Sequence, residues 1–139
     1  MRQSSTSPSE KLITMAKSAE TSPVRVLGAA SAFIESLAKH TGIKTLETQQ
    51  QLLLLSLYIH GDLNQLDLER YTGMRKSSNS RNIARLGEGE HPSVERGPGW
   101  VESYEDPENR RSKLVRLTPR GKALLEKVAA EVSHLFSAK

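Results

Sequence analysis

Two short helical signatures meet at Gly73, and no other part of the chain leaves fewer choices. Upstream, Asn64 has an N-capping side chain, Asp67 falls at the third helical position, and Leu63 and Leu68 can clasp across the cap. Such a cap is worth about 1 kcal/mol. Thr72-Gly73 supplies the stop, because glycine accepts the left-handed geometry of a helix end. Downstream, GMRKSSNSRNIARL (residues 73–86) carries four cations and no acid. At about 100° per residue, Asn79, Ile83 and Leu86 share one side, and Ser77, Arg81, Ala84 and Arg85 fall opposite. Two short helices joined by a tight glycine turn form a helix-turn-helix, whose second member lies where a groove would be read.

The outer side of that second helix offers small hydroxyls and guanidinium groups. Small residues let a helix approach a major groove closely, and arginine can donate twice to a guanine edge. This places Arg81, Ser77 and Ser78 at base edges, and Arg75, Lys76 and Arg85 at phosphates. The competing reading is a solvated basic face that only confers solubility.

The flanking segments are read from their caps and periodicity. Met1 to Glu10 is rich in Ser, Thr and Gln and reads as a mobile tail; Lys11 to Ala19 can form a short helix through Leu12, Ile13, Met15 and Ala16. Ser22-Pro23 opens a longer helix, with Val24, Leu27, Ala30, Ile34, Leu37 and Ala38 as its expected core side and Gly42 as its stop. Val26 and Phe33 lie off that stripe, as a subunit contact or a wider core face. Thr48 to His60 is the next helix, with Thr48 and Gln51 at capping-box spacing and Gly61 after it. Its apolar residues run nearly all round, which places it at the middle of the fold.

After Leu86 the pattern changes. GEGEHPSVERGPG (residues 87–99) reads as a loop, Trp100 to Glu105 as a strand, Asp106-Pro107-Glu108-Asn109 as a turn, and Ser112 to Leu117 as the returning strand. The tip and return arm carry Arg110, Arg111, Lys113 and Arg116. Arg110 and Arg111 can enter a minor groove, whose narrow A·T tracts concentrate negative potential. Alternatively, Arg111 is tied to Asp106 or Glu108 and stiffens the turn. Lys113 is assigned to a phosphate, and Trp100 to the core rather than to a base-stacking wedge. Thr118-Pro119 caps a final helix with Leu124, Leu125, Val128, Val132, Leu135 and Phe136 on its apolar side.

Composition narrows the function classes. With 36% hydrophobic and 4% aromatic residues in a chain of 139, the core must be largely aliphatic and modest, which favours helices pooling Leu, Ile and Val and leaves room for a core shared between two subunits. The absence of cysteine excludes disulfides and thiolate metal sites. His40, His60, His91 and His134 lack metal-ligand spacing, no catalytic constellation assembles, and neither a metal nor a cofactor is expected. The longest apolar run, Leu52 to Leu55, is far too short for a bilayer, so a soluble, cytoplasmic protein is expected. A net charge of +4 permits an anionic partner.

The order of elements is that of a winged helix: mainly α with a small β-hairpin. ESYEDPENRRSKLVRLTPRG (residues 102–121) resembles the wing and following helix start of the multiple-antibiotic-resistance-regulator (MarR) family: an acid, turn residues, paired arginines, a strand, then Leu-Thr-Pro-x-Gly. The resemblance extends back to about Thr45. It implies a homodimer in which helices 22–42 and 119–138 form the subunit contact and residues 45–118 bind double-stranded DNA, in one domain (22–139) after a tail (1–21). It further implies a repressor on a near-palindromic operator and release of DNA by a small aromatic ligand. Three features depart from the family: Glu69 where a small residue is usual, Asn79 where an inward valine is common, and the long loop from Gly87 to Gly99. No further C-terminal dimerising helix is expected after Phe136. A divergent branch, such as a phage- or plasmid-borne control protein, would account for these departures. The alternative they suggest is a protein-binding winged helix acting on a polymerase, replication factor or another regulator.

Overall fold

The computed structural model describes Glu10 and residues 22–42, 46–88 and 97–136. The expected tail, the short helix at 11–19, His91, the middle of the loop after Leu86 and the Phe136 side chain lie outside the described residues. Five helices and one small sheet follow in order: α1 (Pro23–Thr41), α2 (Thr48–His60), β1 (Leu63–Asn64), α3 (Gln65–Thr72), α4 (Lys76–Leu86), β2 (Val101–Asp106), β3 (Asn109–Leu117) and α5 (Pro119–Ser133), then a 3-10 turn at His134–Phe136. This is a winged helix-turn-helix, as the sequence predicts.

Local chemistry explains most boundaries. Ser22 Oγ accepts from Arg25 N–H at 3.2 Å, with Pro23 at the first helical position. Asn64 Oδ1 accepts from Asp67 N–H at 2.8 Å. Gly73 has φ of 72°, the left-handed conformation that lets α3 stop and α4 start three residues later. The cap of α2 differs from expectation by one residue. Glu47 is the N-cap, and Gln50 Oε1 accepts the Glu47 N–H at 3.1 Å. A carboxylate satisfies the same orphan donor that a threonine hydroxyl would, while Gln51 turns to the Leu46 carbonyl at 2.9 Å.

The sheet has the order β1-β3-β2, antiparallel throughout. Its two-residue edge strand, with Leu63 opposite Val115 and Asn64 opposite Leu114, was absent from the sequence expectation. Two residues are too few to show a periodicity. The core is aliphatic: Leu53, Leu54, Leu68 and Val128 are fully enclosed, with Trp100 against them. Helix α2 is central as expected, but Leu52, Tyr58 and Ile59 remain exposed on its outer side.

A close approach joins the wing to α5. A Cβ on Gly121 would lie 2.1 Å from the Trp100 carbonyl oxygen, so only glycine fits there. Thr118 N–H donates to that same carbonyl at 3.0 Å. The Thr118 hydroxyl donates to Gly99 O at 2.6 Å and accepts from Gly121 N–H at 3.1 Å. The Thr-Pro-Arg-Gly run is thus one fitted joint.

Helix α1 corrects the sequence reading. Val24, Leu27 and Ile34, expected in the core, are 82%, 69% and 57% exposed, and Ala30 is exposed with them. Of the expected stripe, only Leu37 is buried and Ala38 half-buried; the packed side is Ala29, Ala32, Phe33, Ser36 and Leu37. Both sides are apolar, so amphipathicity does not choose between them. Small residues at 29, 32 and 36 admit α5 closely, and Glu131 of α5 meets Ser36 Oγ, Lys39 Nζ (3.0 Å) and His40 Nε2 (3.0 Å).

Glu131 ties α1 to α5 through its charged form. The hydrogen bond from Ser36, then that from Lys39, with His40 adding to them, pulls its carboxyl from 4.5 to about 2 against a modest opposing effect of burial. A carboxyl depressed by folding stabilises fully above its unfolded value and loses that contribution as pH falls through the folded one. The melting-temperature difference between wild type and Glu131→Gln should therefore be constant above about pH 5 and shrink between about 4.5 and 2. A difference that persists unchanged at the acid end would refute this role.

Candidate nucleic-acid interface

Helix α4 rests on a polar seat. Asn79, Asn82 and Leu86 are buried beneath it, and Ile83 is half-buried. The Thr72 hydroxyl donates to Leu68 O at 2.7 Å and accepts from Met74 N–H at 3.2 Å. Asn79 Nδ2 donates to Met74 O at 3.1 Å, and its Oδ1 lies 3.2 Å from Thr72 Oγ1. Both peptide groups of the turn residue Met74 are thus held by buried side chains. Asn82 Nδ2 reaches Gln49 Oε1 at 3.4 Å on α2. Asn82 was not expected inward; it lies beside Asn79 and Leu86 on the helical wheel, but its polarity masked it.

The opposite side of α4 is open. Arg75, Lys76, Ser77, Ser80 and Arg81 are exposed, and Ser78 and Ala84 are half-buried. Ser77 and Arg81 are not covered by the chain. Ser80 was missed by the sequence reading, although its spacing of four from both Lys76 and Ala84 puts it on the same outer row. Arg85 is engaged: its Nη1 lies 3.4 Å from Glu47 Oε1. Both side chains are about half exposed, so this pair contributes at most about 1 kcal/mol and can be exchanged for an external anion.

The wing is shorter at its tip than expected. Strand β3 starts at Asn109, so only Pro107 and Glu108 form the turn, and Arg110 and Arg111 lie on the strand. The expected tie from Arg111 to Asp106 or Glu108 does not form. Asp106 Oδ1 instead accepts from Glu108 N–H at 2.9 Å, and Asn109 Oδ1 accepts from the Arg111 backbone N–H at 3.2 Å. Two short side chains close the turn through the backbone and leave the guanidinium groups unpaired. Alternation along β3 then separates the cations. Arg111 and Lys113 line the cleft toward α4, whereas Arg110 and Arg116 share the other face. Arg116 is occupied: it stacks on the Tyr104 ring at 4.2 Å and pairs with Glu102 at 2.8 Å. The Tyr104 hydroxyl bonds Asp62, which raises its pKa and braces the outer face against the end of α2.

Between α4 and the wing runs an open cleft of about 1400 Å3, with Lys76, Ser80 and Ala84 on one wall and Ser103, Arg111 and Lys113 on the other. Among the described residues, Arg75, Lys76, Arg81, Arg110, Arg111 and Lys113 have no ion-pair partner. Of these, Lys76, Arg111 and Lys113 line the cleft, whose walls also carry Glu88, Glu102 and Asp106, while Arg75 and Arg81 extend the cationic surface along α4. No cluster among the described residues could hold a metal ion. His60 stacks on Tyr71 at 3.7 Å, and His134 contacts the Glu131 carbonyl near the end of α5. Trp100 is buried, as expected. No described helix is long and apolar enough to cross a membrane.

Comparison with known proteins gives the same architecture. The sequence pattern of the winged helix DNA-binding domain family matches residues 46–121, more than half of the chain. Among solved structures, the PcaV transcriptional regulator from Streptomyces coelicolor, determined with its natural ligand, is similar with a TM-score of 0.52 and 21% identity over 66% of this chain. This chain spans 59% of the length of PcaV. The transcriptional regulator Tm0710 from Thermotoga maritima has a TM-score of 0.58 and 19% identity, covering 78% of this chain and 70% of its own. A mutant MarR from E. coli has a TM-score of 0.53 and 20% identity, covering 84% and 79%. At these identities the likeness concerns the fold. No curated protein matches the sequence.

Proposed function

This chain belongs to the winged helix DNA-binding domain family and has the MarR-like fold, and on that footing we propose that it regulates transcription as a homodimer, reading a near-palindromic operator as a repressor in the cytoplasm. The observation that carries this reading is the uncovered outer side of α4 at Ser77, Ser80 and Arg81, next to a cleft that Lys76 and Ser80 share with Arg111 and Lys113 of the wing. In this reading Arg81, with Ser77 and Ser78, meets base edges in the major groove, and Ser80 joins them. Arg75, Lys76, Arg111 and Lys113 hold phosphates on either side, and Arg85 exchanges Glu47 for a further phosphate. Arg110, on the outer face of the wing, is the residue placed to follow the neighbouring minor groove. The DNA-binding part is 45–118.

The dimer is supported by α1. Its Val24, Leu27 and Ile34 form an apolar row on the side away from α5, which water disfavours and a second copy can cover. Helices 22–42 and 119–138 would then hold the two reading helices about one DNA turn apart. A small-molecule effector completes the proposal, by likeness to PcaV, which was solved with its natural ligand.

Selection of bound sequences from a random DNA pool should return an inverted repeat. Arg81→Ala should then weaken operator binding about 10- to 100-fold, the ~1–3 kcal/mol of one base contact, with the circular dichroism spectrum unchanged. An unaltered operator affinity would reject the assignment. Lys113→Ala should instead weaken all sequences alike and lower the slope of log affinity against log salt by about one unit. Replacing Val24, Leu27 and Ile34 together by Asp should yield a folded monomer in sedimentation equilibrium. A dimer unaffected by that triple change would place the subunit contact elsewhere.

A further inference from the structure

We infer that Asn79 is a positioning residue for base readout: its buried carboxamide, with the Thr72 hydroxyl, sets the roll of α4 about its own axis and hence which outer side chains meet the bases. The inference rests on the DNA-reading role proposed above. Asn79 is wholly enclosed, at 0% exposure, at a position where an apolar residue would fill the space without directional demands. Its amide binds the Met74 carbonyl, Thr72 binds the Met74 N–H, and Thr72 also holds the Leu68 carbonyl in α3. The chain Leu68–Thr72–Met74–Asn79 therefore crosses the turn twice and ends on the underside of α4.

Directionality is what distinguishes this seat from a greasy one. Apolar contacts have no directional preference of their own, so an apolar seat resists a small roll of α4 through packing alone. A roll of about 20° on a helix of ~5–6 Å outer radius carries its rim through about 2 Å. Hydrogen bonds weaken steeply over far smaller displacements, and side chains that read a partner need placement to about 0.5 Å. The Asn79 and Thr72 bonds accept one roll only. Asn82, bonded to Gln49 on the neighbouring side, pins the same rotation from α2. Buried asparagines are used elsewhere to choose one register among several of similar stability.

The test compares Asn79→Val and Thr72→Val with Val128→Ala, a change in the core beneath α5 that leaves the turn intact. Each protein is assayed by selection from a random DNA pool, by operator affinity and by backbone hydrogen exchange across residues 74–86. Both turn variants should lose about tenfold or more in operator affinity with broadened preference at the half-site bases. Exchange in α4 should accelerate about tenfold or more while α2 is unchanged, and Val128→Ala should keep the wild-type preference. Thr72→Val keeps the carboxamide, so it carries the test if Asn79→Val does not fold. Wild-type base preference and wild-type exchange in both turn variants would overturn the inference, as would an equal loss of preference in Val128→Ala. If the wild-type protein selects no sequence, the DNA-reading role falls and takes the readout claim with it; the exchange data then report only on the lock itself.

Discussion

The peptide groups of Trp100 hold α4, the wing and α5 in one frame. Its N–H donates to the last carbonyl of α4, Leu86 O, at 2.8 Å, and its C=O accepts from Thr118 N–H at 3.0 Å at the start of α5. One residue thus fastens the end of α4, the root of the wing and the cap of α5. Gly121 makes the geometry attainable, because any side chain there would strike that carbonyl. Gly97 plays a similar part on the other side, where a Cβ would fall 2.0 Å from Arg85 O. The cleft between α4 and the wing has its shape because this joint admits little play. Without that fastening, Lys76 and Ser80 would have no fixed relation to Arg111 and Lys113.

Two kinds of charge surround the frame. Among the described residues, Lys76, Arg111 and Lys113 on the cleft have no acidic partner, whereas Arg116 is held by Tyr104 and Glu102 and Lys39 by Glu131. Surface pairs of this sort contribute little to stability. Their consequence lies in bookkeeping of a different sort, namely which guanidinium groups stay available to an anion. Arg85 sits between the groups, paired to Glu47 but weakly enough to be released. Beneath α4 the same economy is reversed, since Asn79 and Thr72 bury polar groups where hydrocarbon would have served for stability alone.

Helix α1 shows how a single polar contact can orient an otherwise ambiguous element. Its two sides are similarly apolar, and burying either would release comparable free energy per unit area. Glu131 breaks the tie by meeting Ser36, Lys39 and His40 at once, which small residues at 29 and 32 permit. The displaced side, with Val24, Leu27 and Ile34, then faces outward as the surface available to a second copy. One carboxylate thus decides which apolar side of α1 is buried and which faces outward.

The sequence by itself determined most helix starts, the glycine stops at 42, 61 and 73, and the hairpin, and it assigned Trp100 to the core. Those features depend on groups within three or four positions of one another, so each is written where it acts: Ser22 caps beside Pro23, Asn64 beside Asp67, Thr118 beside Pro119 and Gly121. It also marked the outer face of α4, because buried and exposed residues on a helix alternate with a period that can be counted. Only the tertiary structure decided the rest. Which side of α1 is buried, the pairing of Leu63-Asn64 with β3 and the bond from Asn82 to Gln49 all join segments distant in the chain. There the competing arrangements differ by a few hydrogen bonds and close contacts, too little to leave a pattern in composition or spacing, and the choice is made when the segments meet.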